Sequence, residues 1–134
     1  LGYRTSVIPK NGWIVLGAVL QLKKGDPEQI LARMEELKEQ RITKQPLDLP
    51  SAGSTFKRPE GYFAGKLIMD AGLRGFTVGG AQVSEKHCGF VVNRGDATAA
   101  DVWELICEVK RRVKERTGVE LEPEVKLLGD FPQR

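Results

Sequence analysis

Cysteine and histidine are scarce in this sequence. It has two cysteines, Cys88 and Cys107, and one histidine, His87. The cysteines lack metal-ligand spacing and are too few for a disulfide framework, so we expect packing thiols in a reducing compartment. A lone histidine is more often structural than catalytic, and without a second one we expect neither a metal site nor a histidine-based triad.

Long hydrophobic runs are also missing. The longest run, WIVLGAVL, has eight residues, whereas a membrane-spanning helix needs about 20. No signal peptide is present, so we expect a cytoplasmic protein without a membrane partner. The sequence begins at Leu1 and runs into LGYRTS without a turn or a cap, which indicates a piece of a longer chain.

A strong charge of one sign is absent as well. The net charge is +3, and the excess lies in residues 1–46, because residues 47–134 carry as many acidic as basic side chains. The densest basic run, KRRVKER at residues 110–116, lies on an amphipathic helix near glutamates and is typical of a solvated face. Since no exposed aromatic residues are interleaved with the cations, a nucleic-acid partner is not favoured.

Two elements are predicted in the first part of the chain. Residues 13–22 form a near-continuous apolar run with β-branched residues, which predicts a buried strand. Asp26 is a good helix N-cap, with proline at the next position and a glutamine at capping-box spacing. Apolar residues on one face extend this helix to about Gln40. Two prolines then interrupt the helical period, so we place a domain boundary near Pro46.

Short elements of both kinds follow. PSAGSTFKRP, residues 50–59, has too little apolar character for a core strand and too much Pro, Gly and Ser for a helix, so we expect a polar loop. A helix, two strands, a helix and a strand follow at FAGKLIMDAG, GFTVGGAQVS, HCGFVVN, the segment from Thr98 to Gly118, and VELEPEVKLLG. This order predicts an α+β fold with a small mixed or antiparallel sheet and helices packed on one face.

Ser54 is the first candidate for chemistry. Gly53 gives the backbone conformational freedom just before Ser54, and Lys57 and Arg58 follow closely. An ordinary polar turn explains these residues, and it is the favoured interpretation of them alone. The alternative is an exposed hydroxyl beside cations that bind a phosphate or a carboxylate.

Three other features are ambiguous by themselves. Arg4, in YRTS, is a salt-bridge partner or a ligand for an anion, and Glu124 lies on an acidic strand face of the kind that is usually only solvated. The pair Gly79 and Gly80 lacks phosphate-loop spacing and does not open a helix, so it indicates nucleotide binding only weakly.

Four motifs occur together and in order: GYRTS, KQP followed by PSAGSTFKRP, GGAQVSEKHCGFVVN, and LEPEVKLLG. In these motifs the sequence resembles the C-terminal part of the UDP-N-acetylenolpyruvoylglucosamine reductases. The resemblance runs from Tyr3 to about Gly129. The direct passage from the predicted strand to the helix at LQLKKGDPEQ, without room for a tyrosine-bearing loop, resembles the shorter subclass of that family.

The resemblance implies a flavoenzyme of peptidoglycan precursor synthesis. In that family NADPH reduces FAD, and hydride passes to the enolpyruvyl group of UDP-N-acetylglucosamine enolpyruvate to give UDP-N-acetylmuramate. By motif, Ser54 corresponds to the proton donor, and Arg4 and Glu124 to the residues that act on the enol carboxylate. We assign Arg4 to holding that carboxylate. Glu124 should be protonated or share a proton with the substrate, because an ionised glutamate would repel the growing charge.

The resemblance also implies a nucleotide-sugar site and a domain division. Lys44 and Arg58 match positions near the nucleotide-sugar, although some members have asparagine at the latter position. Tyr3, Gln82 and His87 are further candidates for substrate binding.

The implied domains are a C-terminal tail of the FAD-binding domain, residues 1–46, and a substrate-binding domain, residues 47–134. The glycine-rich flavin-binding segment of the family lies outside this sequence, so the chain alone should not hold FAD tightly or turn over. Two alternatives stay open: a non-catalytic nucleotide-sugar-binding domain and a small basic nucleic-acid-binding module.

Overall fold

Gly2 and residues 5–131 are described by the computed structural model of this chain. The chain divides into two compact units, residues 1–34 and 35–134, and the division falls within a helix. The described elements, in chain order, are α1 (Val7–Lys10), α2 (Pro27–Lys44), β1 (Ser51–Ser54), α3 (Ala64–Asp70), β2 (Thr77–Val78), β3 (Ala81–Val83), β4 (Phe90–Asn93) and α4 (Ala99–Thr117).

The prediction of a strand at residues 13–22 is wrong, because the structure assigns none of these residues to a strand. Their side chains are exposed, with Leu16 at 97% and Val19 at 100% of full exposure. A strand is stabilised by hydrogen bonds to a neighbour and by burial of a face against other elements. An apolar, β-branched composition shows that a segment suits a sheet but does not supply the neighbouring strand.

Helix α2 confirms the predicted helix start. The Asp26 carboxylate accepts hydrogen bonds from the backbone N–H groups of Glu28 and Gln29, at 2.8 and 3.2 Å. The helix ends at Lys44, one turn beyond the predicted end. Pro46 disfavours helical geometry in the residue before it, which explains why the helix stops there.

The sheet is antiparallel, in the order β1-β4-β3-β2. GFTVGGAQVS, predicted as a single strand, is a hairpin in which Thr77 pairs with Gln82 and Val78 with Ala81. Gly79 turns the chain with a φ of +51°, a conformation that glycine adopts without steric cost.

Strand β1 corrects the expectation of a polar loop at residues 50–59. Ser51 pairs with Val92 and Ser54 with Phe90, and the register shifts between these two pairs. The strand lies at the edge of the sheet and its two serines are exposed. An edge strand with exposed side chains does not need the apolar composition on which the loop prediction relied.

Helix α4 covers the sheet and forms the centre of the core. It begins at a capping box between Thr98 and Asp101 and ends at Gly118, whose φ is +74°, as predicted. It contacts β2, β3 and α3. Its fully buried residues are Leu105, Ile106, Val109 and Val113. The predicted α+β fold, with an antiparallel sheet and helices on one face, is confirmed.

VELEPEVKLLG, residues 119–129, is not the predicted strand. Its only β-bridge among the described residues joins Pro123 to Phe56. Two backbone hydrogen bonds flank this bridge, from the Lys57 N–H to the Glu122 carbonyl and from the Glu124 N–H to the Thr55 carbonyl. The predicted apolar side is nevertheless partly confirmed, since Leu121 is fully buried and Val125 packs on the core.

An ion-pair network covers the solvent side of α4. Arg111 and Arg112 both contact the Glu108 carboxylate at 2.6 Å, and Arg111 also contacts Glu115 at 2.6 Å. Hydrogen bonds from Arg111 and Arg112 lower the pKa of Glu108 to about 2. The basic run KRRVKER is therefore engaged in part with glutamates of its own helix.

We expect Glu108→Gln to lower thermal stability at neutral pH and to matter less in acid. The folded-state pKa lies below the ordinary value, so the stabilisation is complete above about pH 4.5 and is lost as the pH falls towards 2. Melting temperatures of both proteins between pH 7 and 3 test this, with Glu60→Gln, in the loop before α3, as a control. A difference in melting temperature that grows in acid would contradict the prediction.

Candidate functional site

Tyr3 and Arg4 lie outside the described residues. Their predicted roles, in substrate binding and in holding the enol carboxylate, stay predictions. The other predicted site residues all lie between residues 44 and 124 and are described below.

Ser54 is the last residue of β1 and is exposed. Gly53, with a φ of +87°, turns the chain just before it. The Ser54 hydroxyl donates a hydrogen bond to the Phe56 carbonyl oxygen at 3.3 Å. Its partner across the sheet is Phe90 of β4. The serine hydroxyl is therefore presented at the sheet edge, at a point where the strand register shifts.

Thr55 connects Ser54 to the neighbouring segments. Its N–H donates to the Gly89 carbonyl and its own carbonyl accepts from the Glu124 N–H, both at 2.8 Å. Its side-chain Oγ1 accepts from the Val91 N–H at 3.0 Å, and the residue is only 3% exposed. Sequence reasoning missed Thr55. The one available signal was an uncharged polar residue directly before the core aromatic Phe56.

Glu124 is joined by its backbone to the residue after Ser54. Its N–H donates to the carbonyl of Thr55, the residue after Ser54. The bridge between Phe56 and Pro123 fixes the same alignment one residue further along. Glu124 is half-buried. Two residues that are seventy positions apart in the sequence thus lie next to the same backbone hydrogen bond.

His87 lies in the turn before β4. Its Nδ1 accepts from the Gly89 N–H at 3.1 Å, and its ring packs edge-on against Phe90 with centroids 5.1 Å apart. A Cβ added to Gly65 would lie 3.1 Å from the His87 ring. The ring is therefore held by close packing beside Phe90, the strand partner of Ser54, while the residue stays exposed.

Gln82 lies on β3, on the sheet face opposite the helices. Ala81, Val83 and Val91 belong to the core with α4. Because side chains alternate along a strand, Gln82 and Phe90 point the other way. Ser54 pairs with Phe90, so it shares that face. The Gln82 Nε2 donates to the Gly75 carbonyl at 3.2 Å and so also supports the hairpin.

The two cations after Ser54 differ in their surroundings. Lys57 forms an ion pair with Glu122, and its N–H donates to the Glu122 carbonyl at 2.8 Å. Arg58 is exposed, stacks over the Phe63 ring at 4.0 Å, and donates from Nε to the Tyr62 carbonyl at 3.3 Å. Lys57 thus holds its own segment against the segment that carries Glu122. Of the two cations, Arg58 is the better anion ligand.

The cavity beside these cations has a volume of about 350 Å³. It is lined by both cations and by three carboxylates, Glu60, Glu120 and Glu122. Carboxylates repel phosphate oxygens, so this cavity does not suit a diphosphate. An anion bound by Arg58 would have to approach from outside it.

Lys44 is the exposed last residue of α2. The Lys86 ammonium donates to the Ile42 carbonyl at 2.6 Å. This bond joins the last turn of α2 to the turn that carries His87. Lys44 and His87 are thereby placed in neighbouring segments.

Side chains around one end of β1 and β4 offer proton donors and acceptors. Among the described residues there is no cluster of three or more metal-ligating side chains, and no helix is long and apolar enough to cross a membrane. A serine hydroxyl, a half-buried glutamate and an imidazole lie along one end of β1 and β4. Such groups can hold a carboxylate and supply a proton.

Comparison with known proteins identifies the family. Residues 45–128 match the model of the UDP-N-acetylenolpyruvoylglucosamine reductase C-terminal domain. The chain belongs to this family. It is 66% identical over 130 residues to the UDP-N-acetylenolpyruvoylglucosamine reductase of Lachnoclostridium phytofermentans, an alignment that covers 97% of the chain and 42% of the relative.

Two other members of this reductase family are also similar to this chain. The reductase of Agathobacter rectalis is 62% identical over 131 residues, covering 98% of the chain and 42% of the relative. The crystal structure of the Thermus caldophilus reductase aligns with a TM-score of 0.62 and 44% identity, over 78% of this chain and 37% of that one. The chain thus spans about 42% of the length of the curated relatives it matches.

Proposed function

We propose that this chain is the substrate-binding and proton-donating part of a cytoplasmic reductase that converts UDP-N-acetylglucosamine enolpyruvate to UDP-N-acetylmuramate. The observation that carries the proposal is that Thr55, the residue after Ser54, bonds through its backbone both to Glu124 and to Gly89, whose N–H is bonded to His87. The family membership and the four ordered motifs support it. Since the chain spans under half of its relatives' length, the reaction is assigned to a longer protein that contains this chain.

The proposed reaction needs a proton donor and a group that stabilises negative charge. When bound, FAD reduced by NADPH supplies a hydride, which adds to the terminal vinyl carbon of the substrate. The π electrons move to the neighbouring carbon, where the carboxylate delocalises them. Ser54 donates its hydroxyl proton to that carbon and regains a proton from solvent. Arg4 holds the carboxylate, and this interaction strengthens as charge grows on it.

Glu124 is assigned to the same carboxylate in its neutral form. A neutral carboxylic acid donates a hydrogen bond to the carboxylate, whereas an ionised one would repel it.

The nucleotide-sugar is assigned to the cations and polar groups around this end of the sheet. We place the diphosphate near Lys44 and Arg58, which are exposed, with Gln82, His87 and Tyr3 as further ligands. Gln82 shares the sheet face of Ser54. Residues 1–46 would then belong to the FAD-binding domain and residues 47–134 to the substrate-binding domain.

The described residues offer no glycine-rich segment that opens a helix and could cradle the FAD pyrophosphate. We assign the flavin to the part of the enzyme beyond this chain, and the chain alone should not turn over. The exposed apolar residues 13–22 and the exposed apolar side of α2 agree with contact to that part.

Anaerobic half-reactions of the full-length enzyme test the proposal. NADPH should bleach the flavin absorbance, and stoichiometric UDP-N-acetylglucosamine enolpyruvate should restore it with formation of UDP-N-acetylmuramate. UDP-N-acetylglucosamine, which lacks the enolpyruvyl group, is the control and should leave the flavin bleached. If the protein binds the enolpyruvyl substrate but its flavin is never re-oxidised, the alternative of a non-catalytic nucleotide-sugar-binding domain is favoured instead.

A further inference from the structure

We propose that Thr55 is a positioning residue whose buried hydroxyl sets the placement of Ser54 relative to Glu124. The proposal rests on the function proposed above for Ser54. Thr55 makes three hydrogen bonds to two segments: its N–H and Oγ1 bond Gly89 and Val91 at the start of β4, and its carbonyl bonds Glu124. Of the two buried polar residues in the described core, it is the one adjacent to the candidate proton donor.

The side-chain bond of Thr55 replaces a backbone bond of the sheet. Strand β1 pairs with β4 at Ser51 and at Ser54, and the register shifts between these residues. The Val91 N–H, on the β1 side of β4, is bonded by the Thr55 hydroxyl at 3.0 Å instead of by a strand carbonyl. Ladder hydrogen bonds are disrupted at such irregularities. The position of the chain after Ser54 therefore depends on a side chain.

Backbone pairing continues on the other side of Thr55. The Glu124 N–H donates to its carbonyl, and Lys57 donates from its N–H to Glu122. Loss of the hydroxyl would leave these two backbone bonds in place and the Val91 N–H without its partner. The expected consequence is a shift of Ser54 against β4. Displacements of about 1 Å at a reacting group slow catalysis by up to about 100-fold.

Three variants separate positioning from general stability. Thr55→Val keeps the shape and removes the hydroxyl, Thr55→Ser keeps the hydroxyl, and Thr77→Val makes the same change on an exposed threonine at the opposite edge of the sheet. In the full-length enzyme, Thr55→Val should slow flavin re-oxidation by the enolpyruvyl substrate about 10–100-fold. Flavin reduction by NADPH and the Kd for the substrate should stay unchanged. Thr55→Ser should restore the rate to within about threefold.

Amide exchange provides a readout that does not depend on activity. In this chain the Val91 amide should be protected from exchange, and Thr55→Val should accelerate its exchange about tenfold or more. Normal re-oxidation in Thr55→Val, or slow re-oxidation in Thr55→Ser, would overturn the proposal. An unprotected Val91 amide in the unsubstituted chain would overturn it even if Thr55→Val does not fold. Failure of the unsubstituted enzyme to re-oxidise at all would instead refute the proposed function.

Discussion

Replacing Ser54 by alanine in the full-length enzyme is expected to leave flavin reduction by NADPH intact and to slow re-oxidation by the enolpyruvyl substrate. A positioned general acid contributes about 10²–10⁴-fold to a rate, so re-oxidation should slow by that factor. The hydroxyl is exposed at the end of β1 and its one described hydrogen bond, to the Phe56 carbonyl, is 3.3 Å long. Its loss should therefore leave the fold and substrate affinity nearly unchanged.

Ser51→Ala is the matched control for Ser54→Ala. Ser51 lies on the same edge strand, is also exposed, and accepts a hydrogen bond from the Gly53 N–H at 3.3 Å. We expect its variant to re-oxidise at the rate of the unsubstituted enzyme. Stopped-flow absorbance of the flavin measures the re-oxidation rates of both variants. Equal rates for the two variants would remove Ser54 from the role of proton donor.

Gly80→Ala is expected to be the most destabilising of the glycine substitutions in the sheet. A Cβ at this position would lie 2.4 Å from the Ala97 nitrogen and 2.5 Å from Asp96 Oδ1. The first contact is with backbone, so relief requires the β2–β3 hairpin to move away from the start of α4. Overpacking of this kind costs about 2–4 kcal/mol. The melting temperature should fall by on the order of 10 °C.

The hairpin also supports the N-terminus of α4. Hydrogen bonds from the Thr98 backbone, the Thr98 side chain and the Gly80 backbone lower the pKa of the Asp101 carboxyl. Gly80→Ala should weaken that support. Gly17→Ala is the control, because a Cβ there has no neighbour within 4 Å. A melting temperature for Gly80→Ala within about 2 °C of the control would contradict the packing described for the hairpin.

Elements whose signals are local were predicted correctly. The capping residues Asp26 and Thr98 begin α2 and α4, and Gly118 ends α4. In α4 the spacing of apolar residues also identified the buried face. Caps act within one turn of helix and periodicity within one element, so both are readable without knowledge of the rest of the fold.

The prediction was wrong where composition and strand pairing disagree. Residues 13–22 have strand composition and no strand in the structure, whereas Ser51–Ser54 has loop composition and forms one. Pairing decides both cases, and pairing is set by distant residues. The same reasoning applies to residues 119–129, which have strand composition but form one described bridge, between Pro123 and Phe56.

The candidate site was predicted by resemblance more than by residue chemistry. Nothing local distinguishes Ser54 from a turn serine or Glu124 from a solvated glutamate. The backbone link between their segments runs through Thr55, which has no sequence signature beyond being polar next to a core residue. Of the two cations after Ser54, Lys57 pairs with Glu122, and Arg58 is the candidate anion ligand.

The placement of Ser54 against the substrate is tested most directly by a crystal structure of the full-length enzyme with bound UDP-N-acetylglucosamine enolpyruvate. The account predicts that the Ser54 Oγ lies within about 3.5 Å of the carbon beside the carboxylate, or that it reaches this carbon through one water. Glu124 should contact the carboxylate itself. A structure in which Ser54 faces solvent and the enolpyruvyl group lies against other residues would contradict the account.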